Sequence, residues 1–352
     1  MSLDDLTSGV GEWLRGTGPC SDVVVSSRIR LARNLAAYPF LSRATDDQRR
    51  EIFRATADAI SAARVGRHVL LLDMEELDPL DRQLLVERHL ISQQHAEGEG
   101  CRGVAVTPGE TRALMINEED HLRIQVLRSG LALEELWVDI TEIDDAVGRL
   151  LDFAFDDQLG YLTACPTNVG SGLRVSVMLH LPALKLTGEI EKVLRAAKDL
   201  RLAVRGLYGE GTEAVGDFYQ VSNQITLGRP EEQIVEDFSD RVIPRIVEYE
   251  KAARNALGTE RAVQLDDKIW RAMGILENAR AMASDESMFF LSHVRMGVSM
   301  GRLSQLDLPA VNELLLKVQP AHLQKLCGSV LDGEQRSIAR AELLRKRLSS
   351  QN

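Results

Sequence analysis

The sequence predicts an α+β domain over residues 1–257 followed by an all-helical domain over residues 258–352. Three observations carry this. Stretches of apolar/polar alternation, the mark of half-buried strands, recur between residues 22 and 228, interleaved with helix-period stretches. From Arg229 onward only the helical period is found. Gly258-Thr259 forms a natural hinge, and 352 residues suffice for two domains with sizeable cores.

Composition narrows the function. A net charge of −11 excludes electrostatic nucleic-acid binding by the molecule as a whole. No apolar run approaches a membrane span. The opening MSLDDLTSGVGEWLRG has acids and glycines where a secretory signal needs basic, then apolar residues. Cys20, Cys101, Cys165 and Cys327 are far apart with no paired spacing. That argues against a disulfide framework or structural zinc and for a reducing cytoplasm.

Residues 1–20 read as a short helix around Trp13 and a glycine-containing loop. DVVVSSRIRLAR (22–33) opens as a strand on its valine run. Extended through Ser26, it puts Arg28 and Arg30 on one side. Neighbouring cations repel, so a shared anion is a natural reason for them; a solvated basic edge is the alternative. Residues 45–64 read as a helix, with a Thr45/Gln48 capping box and a buried stripe of Ile52, Phe53, Ala57 and Ile60. Residues 69–72 read as strand. Residues 79–94 read as a helix carrying His89, a lone histidine more often structural than functional.

Consecutive strands are predicted over 103–126, interrupted by NEED (117–120). Three adjacent acids fit an exposed turn. His121, Arg123 and Gln125 nevertheless share the face opposite Leu122, Ile124 and Val126, and Glu119 is in phase with them if the strand begins early. A carboxylate beside an arginine on one sheet face is therefore an open reading. Residues 140–159 read as a helix burying Ile143, Val147, Leu150, Leu151 and Phe155.

The stretch TACPTNVGSGLRVSVMLHLP (163–182) combines the Cys165 thiol, a small-residue turn and a two-faced strand. Leu173, Val175, Val177, Leu179 and Leu181 form its apolar face; Arg174, Ser176, Met178 and His180 form the other. The turn lets a ligand approach the backbone, and an arginine at the strand's mouth suits an anion, most simply a phosphate. A helix over 188–200 and a strand over 202–204 lead into RGLYGEGTEA (205–214), whose composition is that of a functional loop. Gly209-x-Gly211-x-x-Ala214 imitates a dinucleotide fingerprint, but GDFYQVSNQITLG returns to strand, which rejects it. Residues 231–257 read as helical with a break at Pro244. Helices follow over 261–283, 286–300, 310–317, 321–326 and 334–348.

Four segments in order, SSRIRLARN (26–34), NEEDHLR (117–123), CPTNVGSGLRVSVM (165–178) and RGLYGEGTEA followed by Val221-Ser222-Asn223, resemble the phosphagen kinases, and more narrowly the bacterial protein arginine kinases. The resemblance implies a largely antiparallel sheet flanked by helices and transfer of the ATP γ-phosphoryl to a guanidinium. Two features favour the protein-directed branch. The SSR segment begins at Ser26, leaving no room for the helical domain that precedes it in kinases of free guanidino compounds. The helical C-terminal domain resembles the one appended in protein arginine kinases, where the family implies dimerisation and docking of substrate or phosphoarginine. The family's phosphoarginine motif R-D-x-x-R-A is met by Arg336-Ser337-Ile338-Ala339-Arg340-Ala341, with serine in place of the acid. The alternative is a solvated arginine pair at i, i+4 spacing.

The resemblance assigns ATP binding to Ser26, Ser27, Arg28, Ile29, Arg30, His89, Arg123, Arg174, Val175, Ser176, Val177, Met178, Arg205, Gly206, Leu207, Tyr208 and Gly209. Mg²⁺ would be held mainly by the phosphates; no Walker-type lysine loop occurs. Glu119 is the implied base, Glu210 a second carboxylate on the substrate guanidinium, and Cys165 a thiolate beside it, while Glu118 and Glu213 are expected to be less sensitive. Implied partners are proteins with exposed arginines, a second copy in a homodimer, a small zinc-binding activator and a Clp-type protease in a stress response. A kinase for a free guanidino metabolite and a non-catalytic phosphoarginine-binding adaptor are the competing readings.

Overall fold

The computed structural model describes residues 3–206 and 215–349. Its strands are β1 (Val24–Arg33), β2 (Leu70–Asp73), β3 (Gly103–Val106), β4 (Arg112–Ile116), β5 (Leu122–Ser129), β6 (Phe155–Asp156), β7 (Gly160–Tyr161), β8 (Leu173–His180), β9 (Leu202–Arg205) and β10 (Phe218–Asn223). Among the described residues eight of these form one sheet in the order β2-β3-β4-β5-β1-β8-β10-β9, with β6 and β7 a separate small ribbon. Every pairing in the large sheet is antiparallel. The expected α+β architecture with a largely antiparallel sheet is the one found.

Strand alternation divides the sheet into two faces. Ile29, Leu31, Ile124, Val126, Val175 and Val177 point to one side and are fully buried. They pack against the helices Asp46–Ala62, Leu133–Gly148 and Ile243–Glu260. The first of these begins at the predicted Thr45/Gln48 capping box. On the opposite side, Val25, Leu127, Met178 and Phe218 are covered by Trp13, Leu14 and helices of the C-terminal region. The rest of that second face carries arginines.

The C-terminal helices are Ala262–Asn278, Ser284–Ser299, Leu308–Lys317, Pro320–Cys327 and Gly333–Ser349. Gly258 and Thr259 lie inside the helix Ile243–Glu260, so the chain turns at Arg261 and not at the expected hinge. The predicted break near Pro244 is a π-helical segment, Asp237–Val242, with Pro244 in the first turn of the helix that follows. The expected helix over 140–159 starts earlier and ends at Gly148. Residues beyond it leave to bond residues 34–36, with Ala36 N donating to Asp152 O and Ala154 N to Asn34 O. Leu150 and Phe155 are consequently exposed. No described helix is long and apolar enough to cross a membrane.

Candidate active site

Register assembles the site. Arg30 on β1 lies opposite Arg174 on β8 and Gln125 on β5, and Arg28 lies opposite Ser176. Arg123 pairs with Ala32, one step along the same face, and Arg205 on β9 pairs with Gln220 on β10. Five strands thus direct Arg28, Arg30, Arg123, Arg174, Arg205 and their polar neighbours to one face. Like charges directly opposed on a sheet are destabilising. Burial, then repulsion from Arg123, Arg174 and Arg205, pushes the Arg28 guanidinium down to about 10. Burial and its arginine neighbours push Arg30 well below its ordinary value, and Glu118 only partly offsets this.

Arg28 donates to Gln220 Oε1 at 2.8 Å and Ser176 Oγ at 3.3 Å. The Nε of Arg30 is buried with no hydrogen-bond partner among the described residues. A crowded, incompletely satisfied guanidinium array is the chemistry a polyphosphate anion completes.

The NEED segment is not the exposed turn of the simplest reading. Asn117 takes a left-handed conformation (φ 58°) and donates to Arg49 O and Cys101 O, both at 2.9 Å. Arg123 is held by Glu118 at 2.7 Å and Glu119 at 3.1 Å, yet the two side chains differ sharply in exposure, 1% against 33%. Burial would raise the Glu118 carboxyl, but Arg123, the Ser92 hydroxyl (2.5 Å) and the Glu119 amide together hold it below the usual range. Glu119 is raised by burial and by Asp120 and Glu118, against the opposing pull of Arg123. Glu118, expected to be the less sensitive acid, is a buried support of Arg123. Glu119 is the accessible carboxylate.

Asp120 joins this turn to the cysteine loop. It is fully buried and accepts from Asn34 Nδ2 at 2.6 Å and Ala164 N at 2.7 Å. Cys165 follows directly, half-buried, with its Sγ 3.0 Å from Thr167 Oγ1. The turn does need its glycines, at Gly170 (φ 113°) and Gly172 (φ 65°), but what approaches is the protein's own backbone and not the expected ligand: a Cβ at Gly172 would lie 2.7 Å from Ala32 O.

His89 reaches the site because the expected helix over 79–94 stops at Glu87. His89 is left-handed (φ 57°), and Gln125 Nε2 on the sheet donates to His89 O (2.8 Å) and Leu90 O (3.0 Å), which a continuing helix would have used. The ring stands edge-on to Trp13 at 4.9 Å and lines a cleft with Ser26, Arg28, Met178 and Gln220. Burial together with Arg28 and Arg30 pushes it down to about 3, so the imidazole is neutral.

Several expected contacts fall elsewhere. Ile29, Val175 and Val177 belong to the core on the far face, where alternation sends every second side chain. The backbone of β8 is already paired on both sides. Ser27 is buried on that same far side and donates to Gly130 O at 2.7 Å. His121 and His180 are buried structural residues, bonded to Leu35 N and to Ser292 Oγ. Arg340 is 2% exposed and donates to Val318 O at 2.7 Å and Met282 O at 2.9 Å. Arg336 donates to Leu331 O at 2.7 Å. Arg340 is thus a buried arginine spent on backbone carbonyls, while Arg336 is half-buried with one such bond, so the two are not an evenly solvated face. Leu207, Tyr208, Gly209, Glu210 and Glu213 lie outside the described residues; Gly206 is the last residue before them.

Sequence reading overlooked Gln125, Gln220, Trp13 and Asp120 as supports. The first two had a signal, since each shares the alternating polar face of its strand. The others act across long separations that no local pattern reports.

Residues 51–253, which include Arg123, Arg174 and Arg205, match the family described as ATP:guanido phosphotransferase, C-terminal catalytic domain. Two solved structures are similar in fold, each at 26% identity over 71% of the chain. One is the duplicated taurocyamine kinase of Schistosoma mansoni (TM-score 0.61, 36% of that chain), the other a lombricine kinase (TM-score 0.57, 71% of that chain). Residues 262–352 match the protein-arginine kinase McsB C-terminal domain. Protein-arginine kinases of Halothermothrix orenii (47% identical, 99% of this chain and all of the relative) and Geobacillus kaustophilus (44%, 97% and 94%) match from end to end. The chain belongs to the protein-arginine kinase family.

Proposed function

We propose that the protein transfers the γ-phosphoryl group of ATP to arginine side chains of proteins, with the arginine face binding the phosphates and Glu119 serving as base. The observation that carries this is the juxtaposition of the crowded arginine face with one accessible, raised carboxylate beside the Cys165 loop. The family supplies ATP as donor and a guanidinium as acceptor.

Arg28, Arg30, Arg123, Arg174 and Arg205 neutralise the polyphosphate and the charge that grows on the equatorial oxygens during transfer. Among the described residues no group of three or more His, Cys, Asp or Glu side chains is arranged to hold a metal ion. Mg²⁺ bound through the phosphates would supply further charge neutralisation there. His89 and Trp13 wall the cleft beside Arg28, where the nucleoside would extend.

The acceptor guanidinium has a pKa above about 12 and is a poor nucleophile while protonated. Glu119 aligns it and takes its proton as the nitrogen attacks the γ-phosphorus. The N–P bond forms, the bond to the β–γ bridging oxygen breaks, and ADP leaves. Glu118 keeps Arg123 aimed at the phosphates while Glu119 turns to the acceptor. Cys165 and Glu210 complete the acceptor pocket in this reading. Proteins marked in this way would be candidates for Clp-type proteolysis.

The test is a phosphotransfer assay with Mg-ATP, offering an arginine-rich unfolded protein and free arginine in parallel. Acid-labile phosphate on protein arginines, with little on the free amino acid, is expected. Transfer mainly to free arginine overturns the protein-directed reading, and binding of phosphoarginine proteins with no transfer to either acceptor overturns the kinase reading.

A further inference from the structure

The two residues that precede His89, Glu87 and Arg88, are both bonded to a C-terminal helix. Glu87, 3% exposed, accepts from Ala321 N at 2.8 Å and His322 N at 3.0 Å, capping the helix Pro320–Cys327 from 234 and 235 residues away. Its Oε2 also meets His322 Nδ1 at 2.8 Å. The other ring nitrogen of His322, Nε2, lies 3.0 Å from Arg88 NH1. Arg88 in turn pairs with Glu110 and donates to Gly9 O at 3.0 Å.

The partners settle the tautomer. Arg88 can only donate, so Nε2 accepts and Nδ1–H donates to Glu87. Burial and Arg88 favour the neutral ring, opposed by Glu87. The result is a buried chain, Glu87–His322–Arg88–Glu110, in which every link is charge-assisted and no member is more than 3% exposed.

His89 is the next residue along the backbone, and Glu87, His89, Trp13, Met288 and Leu315 line one small cleft. The left-handed turn that presents His89 is thus fixed from two directions: by Gln125 of the sheet, and by the C-terminal helix through Glu87 and Arg88.

We propose that Glu87 and His322 are positioning residues for nucleotide binding, through which the docked C-terminal helix sets His89 against the arginine face. The C-terminal region is then part of the nucleotide site as well as whatever partner surface it offers. This rests on the reading of His89 as a nucleotide contact.

The experiment measures KM for ATP, kcat and acceptor KM in the full-length protein for His89→Ala, His322→Ala, Glu87→Gln and the double variant His89→Ala/His322→Ala, with thermal melting as the folding check. Losing one buried charge-assisted bond predicts a rise of about tenfold in the ATP KM for His322→Ala and Glu87→Gln, with the acceptor KM unchanged. The double variant is expected to be no worse than His89→Ala alone, because both changes act on one contact. His322→Asn, whose amide can still donate to Glu87, is expected to recover part of the affinity, and it carries the test if His322→Ala fails to fold. A raised ATP KM in His89→Ala with normal values in folded Glu87→Gln and His322→Asn overturns the positioning role and keeps His89. Fully additive effects in the double variant also overturn it. A normal ATP KM in His89→Ala overturns the nucleotide reading of His89, and the proposal with it.

Discussion

Arg30→Gln is expected to make the free protein more stable and the nucleotide complex weaker. Arg30 and Arg174 face each other across β1 and β8. Opposed side chains on one face have Cβ atoms ~5 Å apart. Two guanidinium charges at ~6 Å repel by about 3 kcal/mol at an effective dielectric near ~20. Arg28 and Arg123 add to this repulsion and Glu118 subtracts from it. The buried Nε of Arg30, without a hydrogen-bond partner among the described residues, carries a further desolvation cost. Because Arg30 is half-buried, solvent screens part of the sum, and glutamine gives up some packing along the longer side chain. A net gain of about 1–2 kcal/mol remains, worth roughly 2–4 °C in melting temperature per kcal/mol. Guanidinium–phosphate bonds contribute about 1.5–3 kcal/mol, so ATP affinity should fall roughly tenfold to a hundredfold. Urea midpoints of the free protein at low salt give the first quantity, and nucleotide titration gives the second. The stability difference should shrink in about 1 M salt, where the Debye length is near ~3 Å. A variant less stable than the parent that binds ATP normally would make Arg30 an ordinary structural arginine and refute the argument.

Glu119→Gln should fold and bind ATP but lose phosphoryl transfer by about 10²–10⁴; near-full activity would remove Glu119 as the base. The raised Glu119 carboxyl also sets a sign: kcat/KM of the parent should fall as pH drops through a value above the ordinary carboxylate range, and any residual activity of Glu119→Gln should lack that limb. Glu118→Gln removes a buried charge from Arg123 and should cost about 3 kcal/mol of stability and raise the ATP KM, measured by denaturation and steady-state kinetics; an unchanged variant would bear out the sequence expectation that this acid is the less sensitive one. Arg340→Ala leaves the carbonyls of Val318 and Met282 unpaired and should lower stability by about 2–3 kcal/mol. Unchanged stability with a lost response to phosphoarginine would instead favour a ligand-binding role for that arginine.

Much of the catalytic half was legible from residues alone. Alternation in SSRIRLAR and GLRVSVMLH set Arg28 and Arg30 on one side of their strand and Arg174 and Ser176 opposite Val175 and Val177, because a strand's side-chain period is two whatever it pairs with; the resemblance nevertheless assigned Ile29, Val175 and Val177 to ATP, and all three are core. The capping box at Thr45 and Gln48 and the helical character after Arg229 are equally local, and both are found. The four motifs in order identified the family.

What alternation could not supply was register. Only the pairing of β1 with β5 and β8 sets Arg30 against Arg174 and Gln125 and turns separate basic strands into one array. The stop after Glu87 was hidden for the same reason. Its local pattern continues as a helix, and the groups that end it, Gln125, Glu110 and His322, come from other parts of the chain. Glu118 and Arg340 carry the same lesson. Each looks like a surface charge in its own segment, and each is buried because a partner arrives from elsewhere: Arg123 and Ser92 for one, the carbonyls of Val318 and Met282 for the other. Local sequence determines which way a side chain points relative to its own backbone. Whether that direction meets solvent, a carboxylate or a carbonyl is decided by tertiary packing, since a buried charge persists only where distant groups satisfy it.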